Sequence, residues 1–263
     1  MANSRLLKRQ QEIRRILAEN ESVSIQALSD ALGVSGWTVR RDLERMAREG
    51  MVERQHGSVT LALPQPILPL PTFEKRSRED LAAKQSIGRT TAQLLRSDQH
   101  IALGAGTTTT QVARELAKLG DKSLHIMTNA LNIALELAPC PNLQVTCTGG
   151  DVQQDHYTLT GPVTERALRT HFYDVAVIGV SGITAKEGLT VNGQLDSIAL
   201  QIMVEQSQRL IVVADSSKVG QVHFVRLAPL RNIDLLVMDR AAPPAFCRTL
   251  AQMGVEFVLA DFA

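Results

Sequence analysis

Cysteine, metal-ligand clusters, long apolar runs and charge of one sign are what this sequence has little of. Its three cysteines, Cys140, Cys147 and Cys247, stand apart without metal-ligand or redox spacing, a usage that suits a reducing cytoplasm. Six histidines are scattered as well, and neither His-x-x-x-His nor Cys-x-x-Cys occurs. No metal and no cofactor are therefore expected. No apolar run approaches the roughly 18 to 20 residues that a bilayer span needs. The N-terminus is a charged amphipathic segment and does not read as a signal peptide. The formal net charge is only +1, and residues 1–60 hold ten Lys/Arg against eight Asp/Glu. That balance disfavours a general polyelectrolyte surface, so any nucleic-acid contact must come from a few placed arginines. At 44% hydrophobic and 21% charged over 263 residues, the composition is an ordinary soluble one with room for two domains.

What is present begins with two short amphipathic segments. Ser24-Ile25-Gln26-Ala27-Leu28-Ser29-Asp30-Ala31-Leu32 opens with a hydroxyl cap and puts Ile25, Leu28 and Leu32 on one helical face. Gly33 ends that helix, since glycine accepts the left-handed conformation. Val34 packs back, and Ser35 caps a second helix whose Val39, Leu43 and Met46 face inward. Trp37, Thr38, Arg40 and Arg41 are left near its exposed N-terminal turn. A short helix, a tight turn and a second helix offering such side chains form the helix-turn-helix layout that reads a DNA major groove. A leading helix through Leu6, Ile13, Ile16 and Leu17 completes a three-helix core. Gly50 to Leu61 alternates like a strand pair about a glycine turn, which makes a wing carrying Arg54 and His56. Any small helical bundle shows such periodicity; the wing after the second helix is what favours DNA binding.

Pro64, Pro66, Pro69 and Pro71 crowd residues 62–72. Proline fixes its own φ and pushes its neighbour extended, so this stretch is neither helix nor inner strand. It reads as a semi-rigid linker between a head, residues 1–61, and a second domain, residues 73–263. There a helix over 80–95 precedes strands at 101–103, 124–127, 143–148, 175–180, 210–214, 235–238 and 255–259. Helices over 108–119, 131–137, 163–171, 197–206 and 244–253 fall between most of them. This alternation predicts an α/β sheet with helices on its faces. Ligands of such sheets bind beyond the carboxyl ends of the strands.

Gly104-Ala105-Gly106-Thr107-Thr108-Thr109-Thr110 leaves the first of these strands and opens a helix. Glycines allow close backbone approach, and helix N-terminal amides with threonine hydroxyls make an anion cradle. It is neither a P-loop, since no Gly-Lys-Ser/Thr closes it, nor a G-x-G-x-x-G fingerprint. Thr128-Asn129, Gly149-Gly150-Asp151, Gly179-Val180-Ser181-Gly182 and Asp215-Ser216-Ser217-Lys218 end further strands. Each also has a plain structural reading as cap, turn or solvated lysine. Their shared place at strand carboxyl ends is the argument for one pocket.

Over almost its entire length the sequence resembles the DeoR family of bacterial transcriptional regulators. The family's V-S-x-x-T-[IV]-R-R-D-L segment stands here as Val34-Ser35-Gly36-Trp37-Thr38-Val39-Arg40-Arg41-Asp42-Leu43. Its L-x-R-x-H-G-G stands as Val52-Glu53-Arg54-Gln55-His56-Gly57-Ser58, with Ser58 replacing the second glycine. Further on, G-[ST]-T-T lies at Gly106 to Thr109, T-N at Thr128-Asn129 and G-G at Gly149-Gly150. D-x-x-[FIV]-x-G lies at Asp174 to Gly179, and D-x-S-K at Asp215 to Lys218. The resemblance implies a winged helix-turn-helix head and a C-terminal α/β sensor domain similar to ribose-5-phosphate isomerase and CoA-transferase-like folds. It implies DNA contacts from Ser35, Trp37, Thr38, Arg40, Arg41, Arg54 and His56. It further implies an effector, a phosphorylated sugar or related metabolite, held by Gly104, Gly106, Thr107, Thr108, Asn129, Gly149, Gly150, Gly182, Asp196 and Lys218.

Two departures accompany the match. Many members carry an acid where this chain has Gly104, and Lys-Arg where it has Leu200-Gln201, while Asp196 keeps an acid one turn earlier. Losing an acid and two cations changes which groups the pocket can satisfy, so the effector is expected to be smaller, less charged or simply different. Thr128 to Ala134 and Ile178 to Ile183 look like the glycerol-3-phosphate repressor branch.

Together these readings predict a cytoplasmic, sequence-specific DNA-binding transcriptional regulator, a repressor released from its operator by a phosphorylated carbohydrate. One head contacts only a few base pairs, so a homo-oligomer, dimer or tetramer, is expected on double-stranded operator DNA. No membrane partner is expected. The alternative is a sugar-phosphate-converting enzyme with an accessory DNA-binding head, for which Asp151, Asp174, Asp196 and Asp215 are candidate acids and bases. No pair of them is picked out by spacing, and Gly104 stands where an acid is missing, so no catalytic residue is expected.

Overall fold

A computed structural model describes residues 9, 12–13, 16–17, 20, 22–48, 52–55, 58–61, 73–153 and 156–261. The chain falls into two compact units, Met1–Leu70 and Pro71–Ala263.

In the first unit, strand β1 (Val23–Ser24) leads into helix α1 (Ile25–Leu32), which starts where Ser24 Oγ accepts the Ala27 N–H at 3.1 Å. The helix ends on Gly33 at φ 61°, a left-handed conformation that costs glycine little and other residues more. That turn brings the Val34 N–H onto Ser29 O at 3.3 Å and launches helix α2 (Gly36–Arg48). Ser35 caps it, its Oγ accepting the Thr38 N–H at 3.3 Å. Val39, Leu43 and Met46 recur at helical spacing and are fully buried with Ile13, Leu17 and Leu28 of the two preceding helical segments. Strands β2 (Val52–Gln55) and β3 (Ser58–Leu61) pair antiparallel as the wing, and Val52 and Val59 close the core. β1 adds a third strand beside β3, which two residues were too few to announce by alternation. Leu6, His56, Gly57 and the proline segment 62–72 lie outside the described residues.

The second unit runs α3 (Phe73–Arg78), α4 (Leu81–Leu94), β4 (His100–Leu103), α5 (Thr107–Lys118), β5 (Leu124–Thr128), α6 (Leu131–Leu137) and β6 (Leu143–Cys147). It continues with β7 (Asp151–Gln153), β8 (Thr158–Thr160), α7 (Pro162–Arg169), β9 (Tyr173–Gly179), β10 (Gly182–Thr184), β11 (Gly188–Val191) and α8 (Gln194–Glu205). It closes with β12 (Ser207–Val213), β13 (Val225–Ala228), β14 (Leu235–Asp239), α9 (Pro244–Gln252) and β15 (Phe257–Ala260). Seven strands form one parallel sheet in the order β15-β14-β12-β9-β4-β5-β6. Successive side chains of a strand point to opposite faces, and the sheet shows it residue by residue. Val175, Val177, Ile211, Val213, Leu235 and Val237 pack under α4, α5 and α6. Their neighbours Ala176, Ile178, Leu210, Val212, Leu236 and Met238 pack under α7, α8 and α9. Burial on both faces is why these strands read as continuous apolar runs.

Three features depart from the sequence reading. The expected helix over 80–95 stands as α4, but an unexpected short helix, α3, precedes it, the two separated where Asp80 takes φ 49°. A hairpin β7–β8 and a separate antiparallel sheet β10-β11-β13 were not expected, because strands of three or four residues carry almost no period. Among the described residues no helix is long and apolar enough to cross a membrane.

Candidate DNA-reading helix and effector site

Helix α2 divides its side chains cleanly. Ser35 Oγ and Thr38 Oγ1 lie 2.9 Å apart in a shared hydrogen bond that fixes the first turn. Trp37 is 68% exposed, unusual for the one tryptophan of a chain, and Arg40 and Arg41 are exposed beside it. The Arg41 guanidinium carbon sits 5.1 Å from the Trp37 ring centroid, a cation–π stack that holds the fork in place. Asp42, the next residue, does something else. It is 1% exposed and its Oδ2 accepts from Arg9 Nε at 2.5 Å, which ties α2 to the leading helix. That hydrogen bond pushes the Arg9 guanidinium above its usual pKa. Arg54 lies on β2, its side chain outside the described set, as is all of His56.

In the second unit the sheet order sets the site. From β4 the chain steps through β5 and β6 to one edge, then returns to β9 on the other side of β4 and steps away to β15. The crevice between the carboxyl ends of β4 and β9 is thus the topological switch point, where ligands of such sheets bind. The Gly104–Thr110 loop leaves β4 there, with the Gly104 N–H donating to Val177 O of β9 at 2.9 Å. A Cβ on Gly179, at the end of β9, would stand 3.9 Å from the Thr109 methyl, so the two loops meet.

The threonines of that loop divide into two kinds. Thr109 and Thr110 turn their hydroxyls back onto Gly106 O, at 3.0 and 2.7 Å, and serve the helix start. Thr107 and Thr108 stand at the first turn of α5, where amides precede the first intrahelical bond, Thr110 N–H to Gly106 O. Asn129 is part of the scaffold. Its Oδ1 accepts the Ala105 N–H at 3.3 Å and its Nδ2 donates to Leu159 O at 3.2 Å, so the amide joins the glycine loop to the β7–β8 hairpin. Gly149 and Gly150 also lie against that hairpin and α7, where a Cβ on Gly150 would run into Thr160 O and Thr164 Oγ1. Gly182 opens β10, and a Cβ there would meet the Gln221 carbonyl, so it belongs to the small antiparallel sheet. Sequence position placed these four glycine and amide positions at strand ends; packing gives them structural work there.

Charge gathers on the other wall. Lys218 Nζ lies 3.0 Å from Ser217 Oγ and 3.7 Å from Asp215 Oδ1. Asp215, 1% exposed, caps the turn that follows β12, its Oδ1 accepting the Ser217 N–H at 3.1 Å. The neighbouring Ser216 N–H is held by Asp239 Oδ1 at 2.6 Å. Lys84, 2% exposed in the first turn of α4, donates Nζ to Arg76 O at 2.7 Å and to Glu79 O. Burial pushes its ammonium below the usual lysine pKa, against the pull of Asp215 and with the push of Lys218. Arg76 on α3 is bonded to His156 Nδ1 at 2.7 Å. Burial lowers its pKa too, and Asp196 in the first turn of α8 is its foremost opposing charge. Arg76, Lys84 and Lys218 therefore share this part of the fold with Asp196 and Asp215 and with Glu74, Glu79 and Asp80.

The sequence reading named Asp196 and Lys218 but missed Arg76 and Lys84. Lys84 had a signal: it falls on the face of Ala83, Ile87, Gly88, Thr91 and Ala92, all buried. Arg76 had none, because α3 itself was not anticipated. Of the acids considered for catalysis, Asp174 lies near the amino end of β9, where its Oδ2 accepts the His100 N–H at 2.8 Å. It is remote from the crevice by the length of the strand.

Comparison with known proteins decides between the readings. The DeoR-like helix-turn-helix domain matches residues 9–65, and the DeoR C terminal sensor domain matches residues 79–240. The chain belongs to the DeoR family of transcriptional regulators. The HTH-type transcriptional regulator GlpR of Haloferax volcanii is 31% identical over 95% of this chain and 96% of its own length. The Glycerol-3-phosphate regulon repressor of Escherichia coli K12 is 25% identical, covering 90% of this chain and 92% of its own. Among solved structures, ribose 5 phosphate isomerase A from Neisseria gonorrhoeae is similar over 52% of this chain and 53% of its own, at 15% identity and TM-score 0.40. As a DeoR-family member the chain is a DNA-binding regulator and not an enzyme, which sets aside the sugar-phosphate-converting alternative.

Proposed function

We propose that this DeoR-family regulator is a repressor whose hold on operator DNA is released by a phosphorylated carbohydrate bound at the β4/β9 switch point. The supporting observation is the Gly104–Thr110 loop, which leaves β4 at that crevice and opens α5. Lys218, partly exposed beside Asp215, and the partial positive charge of the α5 N-terminus favour an anionic ligand. On the DNA side, Arg40 and Arg41 present planar forks suited to guanine edges or phosphates, Trp37 and Thr38 flank them, and the wing's Arg54 and His56 add backbone or groove contacts. A homo-oligomer would place two or more heads on repeated half-sites. The effector acts by favouring one arrangement of the sensor domains over another; only such differential affinity can move the heads.

The test is in two steps. Thermal unfolding of the full chain is followed against a panel of sugar phosphates and glycerol 3-phosphate. A ligand at about 100 times its Kd should add about 2.7 kcal/mol, a rise of a few degrees in Tm. An operator is then selected from random duplex DNA and its gel shift measured with and without each stabilising compound. Loss of the shifted band supports release; a band untouched by every compound that stabilises the protein refutes it.

A further inference from the structure

Helix α3 is six residues long and none of them is buried. A helix that short has no stability of its own in water, so its order depends on what it touches. Lys84 holds its Arg76 carbonyl, and α5 runs beside it. Three further contacts gather where the chain enters β8. Tyr157 OH donates to Glu74 Oε1 at 2.5 Å, and the Tyr157 ring stands edge-on to Phe73 with centroids 5.3 Å apart. Arg76 donates to His156 Nδ1 at 2.7 Å. Tyr157 makes its two contacts at φ 53°, a left-handed conformation that an aromatic residue adopts only where its surroundings hold it there.

The segment that holds Tyr157 also carries the glycine loop. The Leu131 N–H donates to Tyr157 O at 2.9 Å, Ala130 bridges Thr158, and the Leu159 N–H donates to Asn129 O at 2.7 Å. The Asn129 side chain completes the path. Its Nδ2 donates to Leu159 O at 3.2 Å while its Oδ1 accepts the Ala105 N–H at 3.3 Å. A residue 1% exposed thus has the β8 backbone on one side and the Gly104–Thr110 loop on the other. Its bond to Ala105 is the longest of the set, beyond the usual N–H···O range of about 2.7–3.2 Å, and so the one most readily given up to a better acceptor.

Resting on the effector-site reading above, we propose that Asn129 and Tyr157 are positioning residues that couple the Gly104–Thr110 loop to the docking of α3, the helix that follows the proline segment leading from the DNA-binding head. A ligand acceptor seated in the loop takes the Ala105 N–H from Asn129 Oδ1. The Asn129 amide then turns, its hold on β8 loosens, Tyr157 leaves the left-handed conformation and α3 undocks. Docked and undocked α3 are the two arrangements between which the ligand selects, and the operator is held in the first and released in the second. By linkage, whatever undocks α3 also tightens the ligand.

Amide hydrogen exchange of the full chain tests the coupling without any ligand, in the wild type, Tyr157→Phe, Tyr157→Ala and Asn129→Ala. Unfolding temperatures verify that each variant folds, and the two Tyr157 variants carry the test should Asn129→Ala fail to. Asn129→Ala should speed exchange of the α3 amides by about three- to tenfold, the worth of roughly one hydrogen bond. Tyr157→Ala should do the same, reciprocally, to Ala105 and the first turn of α5, and Tyr157→Phe should speed α3 by less. Changes confined to the neighbours of each substitution overturn the coupling. Gel shifts on the selected operator and calorimetric titration with glycerol 3-phosphate and hexose 6-phosphates then read its use. Tyr157→Ala should weaken ligand-free operator binding by about fivefold and tighten any compound that binds the wild type by a similar factor, a gain that damage to the fold alone would not give. Operator and ligand affinities that both stay unchanged, or a ligand affinity that falls, overturn the role in release. If none of these compounds binds the wild type, it is the effector-site reading that fails, and the exchange measurements alone decide whether Asn129 and α3 are coupled.

Discussion

Leu200 fills the space that a side chain on Gly104 would need: a Cβ at position 104 would stand 2.9 Å from Leu200 Cδ2 and 3.4 Å from Ile178 Cγ2. Gly104 and Leu200, two of the positions at which the sequence departs from the pattern of the family it resembles, therefore meet in the fold. Glycine at position 104 thus leaves room for the Leu200 side chain.

That coupling gives a first prediction. Gly104→Asp should destabilise the chain by about 1–3 kcal/mol through overpacking alone, with a further cost for the buried charge. Leu200→Lys should also destabilise, by removing a buried leucine. The double variant should be more stable than the sum of the two changes allows, with a coupling of about 1 kcal/mol or more. Chemical unfolding of the four proteins measures it; strict additivity would show that the two sites are independent.

The Trp37–Arg41 stack leads to a second. Arg41→Ala should weaken specific operator binding by about 1–3 kcal/mol if the fork makes a bidentate base contact. Trp37→Ala should lose part of the same energy, because the guanidinium is no longer held over the ring, and the double variant should lose less than the sum. Arg41→Lys should fail to restore affinity, since a point charge neither stacks nor forks in the same way. Gel shifts on the selected operator decide it, and full activity of Trp37→Ala would separate the stack from DNA reading.

Arg9 and Asp42 give a third, on stability rather than binding. Asp42 lies within the segment that resembles the family's recognition pattern, yet it is buried on an ion pair with the leading helix. Asp42→Ala should destabilise the head by about 1–3 kcal/mol, the usual range for a lost charged hydrogen bond. Unfolding of the second unit should not change. Two-probe thermal unfolding, with Trp37 fluorescence reporting the head, distinguishes the two.

Lys84 gives a fourth, in pH. Burial lowers its folded pKa from 10.5, so between the lowered value and 10.5 the unfolded chain binds more protons than the folded one. Stability contributed by this group therefore rises with pH across that window and is constant above it. Urea unfolding from about pH 8 to 11 should show this rising component, and Lys84→Met should flatten it. The same variant leaves the Arg76 and Glu79 carbonyls without their donor, so it should lose stability below the window. A slope unchanged in Lys84→Met would mean that another group titrates there.

Much of this protein is legible in local sequence. Ser24, Gly33 and Ser35 mark helix boundaries by local hydrogen bonding and backbone sterics, and these act over three or four residues whatever the rest of the chain does. The apolar runs at 175–179, 210–213 and 235–238 announce strands buried on both faces. The glycine–threonine loop announces a strand-to-helix turn open to a ligand. Tertiary structure decided what local pattern cannot encode. Strand order, and with it the switch point between β4 and β9, depends on which strands pair across seventy or more residues. The roles of Asn129, which motif position marks for binding but which also ties the glycine loop to Leu159 O, and of Asp42, which bonds Arg9, depend on partners supplied by distant segments. The same holds for Lys84 and Arg76, which chain position leaves as ordinary surface cations; packing buries Lys84 and half-buries Arg76. Periodicity is a property of one element at a time, whereas a site is made by several, and only their packing says which side chains are already satisfied and which still await a ligand.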